Sequence, residues 1–179
     1  MGGTWSSANS LNSLGQVAGT SSTASGAFHA FFSDGSAKLV DLGTLGGMSS
    51  YGMAINNHCE MAGSAQTSQG LMNAFLWHDG KLKSLGTLGG SQSYAYGVND
   101  AGAVVGYSWI TGNLVTHGFV DWDGMMLDLN QLLPVNSEWT IEAAYGINDT
   151  GHIVGTGTLH GQTYAVELVP DSPRVTPRK

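Results

Sequence analysis

Cysteine, charge and long apolar runs are all scarce in this sequence. The only cysteine is Cys59, so no internal disulfide can form. Charged residues make up 11% of the 179 residues, against roughly 25% in a typical soluble domain. Only 6 are Lys or Arg and the formal net charge is −7, which disfavours nucleic-acid partners and anionic membrane surfaces. No apolar run approaches the roughly 18 residues of a membrane span, so none is predicted.

What the sequence does contain is glycine and an internal repeat. Its 27 glycines, with abundant Ser, Thr and Asn, suit short strands joined by tight turns. Four equivalent asparagines follow one another at spacings of 44, 43 and 49 residues: Asn12, Asn56, Asn99 and Asn148. A period of roughly 44 residues is typical of a propeller, a solenoid or an array of repeats.

Each repeat contains four short stretches of β type. In the second repeat these are residues 51–56, 60–64, 73–77 and 81–85. The first hairpin turns on an Asn-x-x-Gly pattern and the last on Asp-Gly, both of which tolerate left-handed backbone angles. No segment keeps a helical period, so no helix is expected.

Four strands in roughly 44 residues match one propeller blade, so the predicted fold is all-β and β-propeller-like. We expect a single domain over 1–170 and a flexible tail over 171–179. The last repeat lacks a convincing fourth strand. The predicted repeats are about 1–42, 43–85, 86–133 and 134–170. They could close alone, pair with a second chain in a larger ring through blade edges, or be part of a longer protein.

The first strand of each repeat is predicted to lie innermost, because one of its faces is small. In the second repeat Gly52 and Ala54 form the small face, and Met53 and Ile55 form the large one. Alternation at period two is typical of a strand packed on both sides. In the turn that follows, Cys59 replaces the glycine of the other repeats, which predicts a hairpin that is locally strained or differently shaped.

The repeated motifs resemble a known family. Leu-Gly-Thr-Leu-Gly-Gly occurs at 42–47 and at 85–90, and His-Ala-Phe occurs at 29–31. Its later copies read His-Gly-Phe at 117–119, Asn-Ala-Phe at 73–75 and, least similar, Tyr-Ala-Val at 164–166. Over nearly its whole length the chain is similar to the HAF-type extracellular repeat of bacterial proteins. The resemblance implies a secreted or cell-surface protein, although no signal-peptide pattern follows Met1, and it implies no catalytic residues.

The leading functional hypothesis is a non-enzymatic binding or scaffolding module for a glycan or a small molecule. Variable loops and connectors share one predicted face, where aromatic rings could bind flat ligands. The candidate ligand-binding residues are Trp5, Tyr51, Tyr94, Trp109 and Trp139. The alternative for these rings is that they fill gaps between blades.

The rival hypothesis is a hydrolase of glycosidase, esterase or lactonase type at the channel mouth. Its weak catalytic candidates are Glu138, Glu142 and His160, because paired carboxylates can act as acid and base. The alternative is that they are solvated loop residues. His29 and His117 repeat, so we expect them to bond a neighbouring strand rather than to catalyse.

No metal and no cofactor are predicted. Asp121 and Asp123 only faintly resemble a calcium loop, because the further acids such a loop needs are missing. No phosphate loop, nucleophile elbow or Cys–His signature is present.

Overall fold

The computed structural model describes residues 1–36 and 38–171, which form fifteen antiparallel β-strands and one 3₁₀ turn at Leu129–Gln131. Apart from Asp171, the predicted tail lies outside the described residues. The strands are β1 (Gly2–Leu11), β2 (Val17–Thr23), β3 (Phe28–Ser33), β4 (Val40–Asp41), β5 (Gly46–Ile55), β6 (Met61–Thr67), β7 (Met72–His78), β8 (Lys81–Gly86), β9 (Gly89–Val98), β10 (Val104–Ile110), β11 (Thr116–Trp122), β12 (Met125–Asp128), β13 (Thr140–Ile147), β14 (Ile153–Leu159) and β15 (Gln162–Leu168). Within these residues no helix is long and apolar enough to cross a membrane.

The strands form one sheet per repeat, in chain order. Sheet 1 is β1-β2-β3-β4, sheet 2 is β5-β6-β7-β8, sheet 3 is β9 to β12, and sheet 4 is β13-β14-β15. The prediction of an all-β chain with an antiparallel sheet in each repeat is confirmed. The fourth sheet has three strands in the described part of the chain, which agrees with the predicted incomplete repeat.

The first strand of the second repeat starts earlier than predicted. It begins at Gly46 rather than Tyr51, because the connector itself joins the sheet edge. Leu45 forms a parallel bridge with Thr67, and Gly46 then turns with a φ of 99°. This positive φ is easy only for glycine. The connector therefore fixes where each sheet starts.

The predicted period-two alternation of the first strands is wrong at one point. Every first strand carries a β-bulge, whose extra residue is Asn9, Met53, Tyr96 or Tyr145. The extra residue shifts the pleat, so Gly52 faces sheet 1 while Ala54 packs in the core shared with sheet 3. The two small residues therefore serve opposite neighbours.

Three apolar cores lie between successive sheets. Each combines small residues of one sheet with larger residues of the next, as in the contact of Ala18 and Ala30 with Phe75. Neighbouring first strands contact one another at each junction, whereas fourth strands pack less. No comparable packing joins sheet 1 to sheet 4 among the described residues, so the four repeats form an open array in the structure.

One asparagine per repeat links its own turn to the next sheet. The Oδ1 atom of Asn56 accepts hydrogen bonds from the backbone N–H groups of His58 and Glu60, at 3.0 and 2.9 Å. Its Nδ2 group donates to the backbone carbonyl of Asn99 at 2.8 Å. The equivalent bonds run from Asn12 to Asn56 at 2.9 Å and from Asn99 to Asn148 at 3.0 Å. We call this series the asparagine ladder.

A second series of bonds runs beside the ladder, one residue later. The backbone N–H of Asn57 donates to Asp100 Oδ1, and that of Asp100 donates to Asp149 Oδ1, both at 2.8 Å. Ser13 begins the series by donating to Asn57 Oδ1 at 3.0 Å. Because both series repeat at each junction, successive sheets are held in the same relative position.

The ladder predicts a difference between an internal and a terminal asparagine. Asn99→Asp keeps the turn acceptor but places a buried carboxylate against the Asn148 carbonyl, which should cost about 3 kcal/mol of unfolding free energy. Asn148→Asp is the matched control, since Asn148 is exposed and its Nδ2 has no acceptor among the described residues. It should cost less than about 1 kcal/mol, because only an exposed group changes. Urea unfolding of dilute protein measures both, and equal losses would show that the ladder does not stabilise the array.

The strain predicted at Cys59 is present. Its φ is 61°, in the left-handed region that Gly15, Gly102 and Gly151 occupy in the other repeats. Cys59→Gly should raise the unfolding free energy by about 0.5–1 kcal/mol, because glycine adopts this angle without a Cβ clash. The reverse change Gly15→Ala, at a φ of 78° in open space, should lower it by about 1 kcal/mol. Thermal unfolding of both variants measures whether the unfolding free energy rises in the first and falls in the second.

Candidate ligand-binding surface

Aromatic rings form two contacting groups, one on sheets 1 and 2 and one on sheets 3 and 4. Trp5 and Phe28 of sheet 1 meet edge to face at 5.5 Å between ring centroids, and Phe28 stacks on Tyr51 of sheet 2 at 6.4 Å. Tyr94 occupies in sheet 3 the repeat position that Tyr51 occupies in sheet 2, without a direct ring contact between the two among the described residues. We call the whole series, which continues as described next, the aromatic row.

The row continues through sheet 3 into sheet 4. Tyr94 and Tyr107 are cross-strand partners whose rings lie 5.1 Å apart. Tyr107 then stacks on Tyr96 at 5.8 Å, and Tyr96 meets Tyr145 edge to face at 5.5 Å. Because Tyr96 and Tyr145 are the extra residues of two bulges, the bulges bring these two rings together.

The row is partly exposed, which distinguishes it from the cores. The exposed fractions are 51% for Trp5, 37% for Phe28, 37% for Tyr51 and 49% for Tyr145. Bulky rings held against one another but open to solvent form a rigid platform at low cost in side-chain entropy. Such a platform can stack against the flat face of a ligand.

Burial changes the acidity of two tyrosines in the middle of the row. Loss of solvent raises the pKa of Tyr107 above its usual range, and the hydroxyl of Tyr96 raises it further. Burial also raises the pKa of Tyr94, with added contributions from Tyr96 and Tyr51. Both phenols therefore stay neutral across the physiological pH range, as donors and acceptors of hydrogen bonds.

The sequence identified part of this row. Of the five predicted rings, Trp5, Tyr51 and Tyr94 belong to it. Trp109 makes no ring contact with another aromatic of the described chain, and Trp139 packs separately against Tyr164 at 5.6 Å.

The sequence missed Phe28, Tyr96, Tyr107 and Tyr145. A signal existed for Tyr96 and Tyr145, because they occupy the same repeat position as Met53. That this position is a bulge could be seen only in the structure.

The three catalytic candidates lie on sheet 4 and its connector. Glu138 and His160 approach to 3.7 Å, but both side chains are about 70% exposed (71% and 70%). Glu142 accepts a 2.5 Å hydrogen bond from the Thr158 hydroxyl. A solvated ion pair and a bonded carboxylate do not form the water-excluded site that acid–base catalysis favours.

The repeated histidines bond the neighbouring strand, as expected. His29 Nδ1 lies 2.9 Å from Asp41 of β4, and His117 Nδ1 lies 2.7 Å from Asp128 of β12. Asn73 replaces the histidine in sheet 2 and donates to Ser84 at 3.0 Å. These pairs bond the third strand to the fourth strand of the same sheet. This structural role explains why the position repeats, and no catalytic role is needed to explain it.

Asp121, which faintly resembles part of a calcium loop, is bonded within its own turn. It is buried, its Oδ1 accepts from the Gly124 N–H at 3.0 Å, and burial raises the pKa of its carboxyl group. Residues 1–36 and 38–171 contain no cluster of three or more His, Cys, Asp or Glu residues that could hold a metal ion.

A groove of about 550 Å³ lies between sheets 3 and 4. Its walls include Trp122, Leu129, Leu133, Ile153 and Leu168. It contains none of the rings of the aromatic row and none of the three catalytic candidates. The row is therefore the stronger candidate for recognition.

Neither the models of known protein families nor the curated proteins with which the chain was compared give a match.

The two half-buried phenols, Tyr94 and Tyr107, predict a dependence of stability on alkaline pH. The unfolded chain releases a phenol proton near about 10, while the folded chain holds it to higher pH. Stability should therefore fall as the pH rises through about 10 toward the folded pKa. Tyr107→Phe should reduce this loss of stability at high pH. In an ultraviolet titration, it should also remove the phenol that ionises at the highest pH. Protein unfolded in urea is the control, and a single transition shared by folded and unfolded protein would contradict the prediction.

Proposed function

We propose that the protein is a non-enzymatic binding module of the HAF-repeat type whose aromatic row binds neutral glycan chains. The observation that carries this proposal is that rings contact one another across the first and third junctions, with Tyr51 and Tyr94 at the same repeat position on either side of the second. Trp5, Tyr51 and Tyr145 are still open to solvent. Sugar rings present flat C–H faces that stack on aromatic rings, and a repeated row suits a repeated ligand. The net charge of −7 disfavours acidic polymers, so the ligand is neutral.

The sheets are proposed to be arranged as in part of a β-propeller. Supporting this, neighbouring first strands contact one another at every junction, while the fourth strands pack less closely. Sheets that converge on their first strands fan out from a common axis, which is the geometry of propeller blades. The first strands, with their bulged residues, then form the inner surface on which the glycan lies. The resemblance to extracellular repeats supports a location outside the cell or on its surface.

The binding proposal predicts the effect of removing single rings. Tyr51→Ala and Tyr94→Ala should each weaken glycan binding about fivefold, since a stacked ring contributes about 1 kcal/mol. Tyr164→Ala is the matched control, because Tyr164 is 44% exposed but packs on Trp139, outside the row. A glycan array identifies a neutral ligand, and calorimetric titration compares the three variants. Equal affinity in all three, or no ligand on the array, would refute the proposal.

An assay of substrate turnover distinguishes the hydrolase alternative from this proposal. If the chain cleaves a glycoside or an ester, Glu142→Gln should abolish turnover and leave the aromatic row intact. If the chain only binds, the same variant should bind glycan as the unmodified protein does. The Thr158 hydroxyl can still donate to the glutamine carbonyl, so the local structure is preserved.

A further inference from the structure

The array has two uncovered end faces, and they are not alike. On sheet 4, Val154 is 51% exposed, and Ala165 is exposed too. Their counterparts in the first three sheets are covered by the following sheet and fully buried: Ala18, Ala62 and Val105 for the first, Ala30 and Ala74 for the second. The outer face of sheet 4 thus repeats a surface that is covered elsewhere in the chain.

The outer face of sheet 1 has the same residue pattern as the faces of the later sheets that pack on the preceding sheet. Ala8 is exposed and Leu11 is 66% exposed. Their counterparts pack on the preceding sheet and are buried: Gly52, Ala95 and Ala144 for the first, Ile55 and Val98 for the second. The two end faces are therefore complementary to each other in the same way as the two packed faces of each internal junction.

The asparagine ladder has matching free ends. Among the described residues, Asn148 Nδ2 and the Asp149 N–H have no acceptor, although the same groups in Asn99 and Asp100 donate to the following sheet. At the other end, Gly15 is the one donor to the Asn12 carbonyl within residues 1–36 and 38–171, whereas the Asn99 carbonyl accepts from Gly102 and from the ladder. Sheet 4 presents donors and sheet 1 presents the acceptor.

From these complementary faces we infer that the chain associates head to tail with a second copy of itself, sheet 4 of one copy packing on sheet 1 of the next. The junction repeats the internal ones: Val154 and Ala165 are buried against Ala8 and Leu11, and the ladder passes from Asn148 of one copy to the Asn12 carbonyl of the other. Such a heterologous contact produces a closed ring when the rotation allows it and a longer assembly when it does not. Both contain the same junction.

One position makes the intermolecular junction weaker than the internal ones. The second series of bonds needs a side-chain acceptor where Asn57, Asp100 and Asp149 stand, and sheet 1 has the shorter Ser13. Ser13→Asn restores an amide oxygen at that point and should tighten association by about threefold to tenfold, as one added hydrogen bond does.

Two substitutions test the junction from its two sides. Val154→Glu and Leu11→Glu each place a carboxylate in the buried contact and should raise the dissociation constant at least about 100-fold. The matched controls are Val135→Glu and Leu114→Glu, at side chains that are 91% and 85% exposed and lie on neither end face. Sedimentation velocity of the 179-residue chain over a range of concentrations measures the association.

Mixing the two disrupted variants distinguishes head-to-tail from like-face contact. Val154→Glu keeps an intact sheet 1 face, and Leu11→Glu keeps an intact sheet 4 face. Their mixture should form a 1:1 pair with one junction, although each variant alone stays monomeric. Contact between two identical faces would not be rescued in this way.

Each outcome of these experiments either supports or overturns the inferred head-to-tail association. Assembly of the unmodified chain, its loss in both variants but in neither control, and its recovery on mixing support the inference. A chain that stays monomeric at millimolar concentration overturns it, as does assembly that survives Val154→Glu or fails to recover on mixing. Should circular dichroism show either glutamate variant unfolded, Asn148→Asp removes the terminal donor without adding a core charge and must weaken association about tenfold or more.

Discussion

The array depends on an asparagine that makes two kinds of hydrogen bond at once. Its carbonyl oxygen closes the first turn of its own repeat, and its amide donates to the backbone of the next sheet. A hydrophobic contact between sheets is non-directional, so burial alone would let neighbouring sheets slide by a residue. A buried hydrogen bond has a fixed length and direction, and leaving it unmade is costly. The ladder therefore sets the register, and the apolar cores supply most of the stabilisation.

Fixed register is also what makes a binding surface shared by the sheets possible. The rings of the aromatic row come from different sheets, and their centroids lie between 5.1 and 6.4 Å apart where the contacts are direct. A shift of one residue at any junction would move a ring by about 3.3 Å along the strand relative to its neighbour in the next sheet. The bulges are a second requirement for this surface. Each bulge leaves one residue of a first strand outside the backbone pairing of its sheet. The same junction that stabilises the fold thus aligns the proposed glycan surface.

Repetition has a consequence at the ends of the array. Because every junction uses the same donors, acceptor and small residues, the first and last sheets carry the two unmatched halves of one interface. Repeat proteins commonly end in atypical units that cover such faces. Here sheet 4 lacks a fourth strand in the described part of the chain, and Val154 stays open on it, while sheet 1 leaves Leu11 open. The glycan proposal and the association proposal concern different surfaces, so one can fail without the other.

The sequence by itself determined the repeat, the all-β class, the number of sheets, the incomplete last sheet and the tight turns, since these follow from local spacing and from residues such as Gly15 and Asp79-Gly80. It also indicated three members of the aromatic row and the strand-bonding role of His29 and His117. Only the tertiary structure decided the bulge at Tyr96 and Tyr145, the open ends, and the separation of Trp109 and Trp139 from the row. The reason is physical: a turn is a property of a few consecutive residues. By contrast, a bulge, a ring contact or an uncovered face depends on how strands distant in sequence are paired and packed.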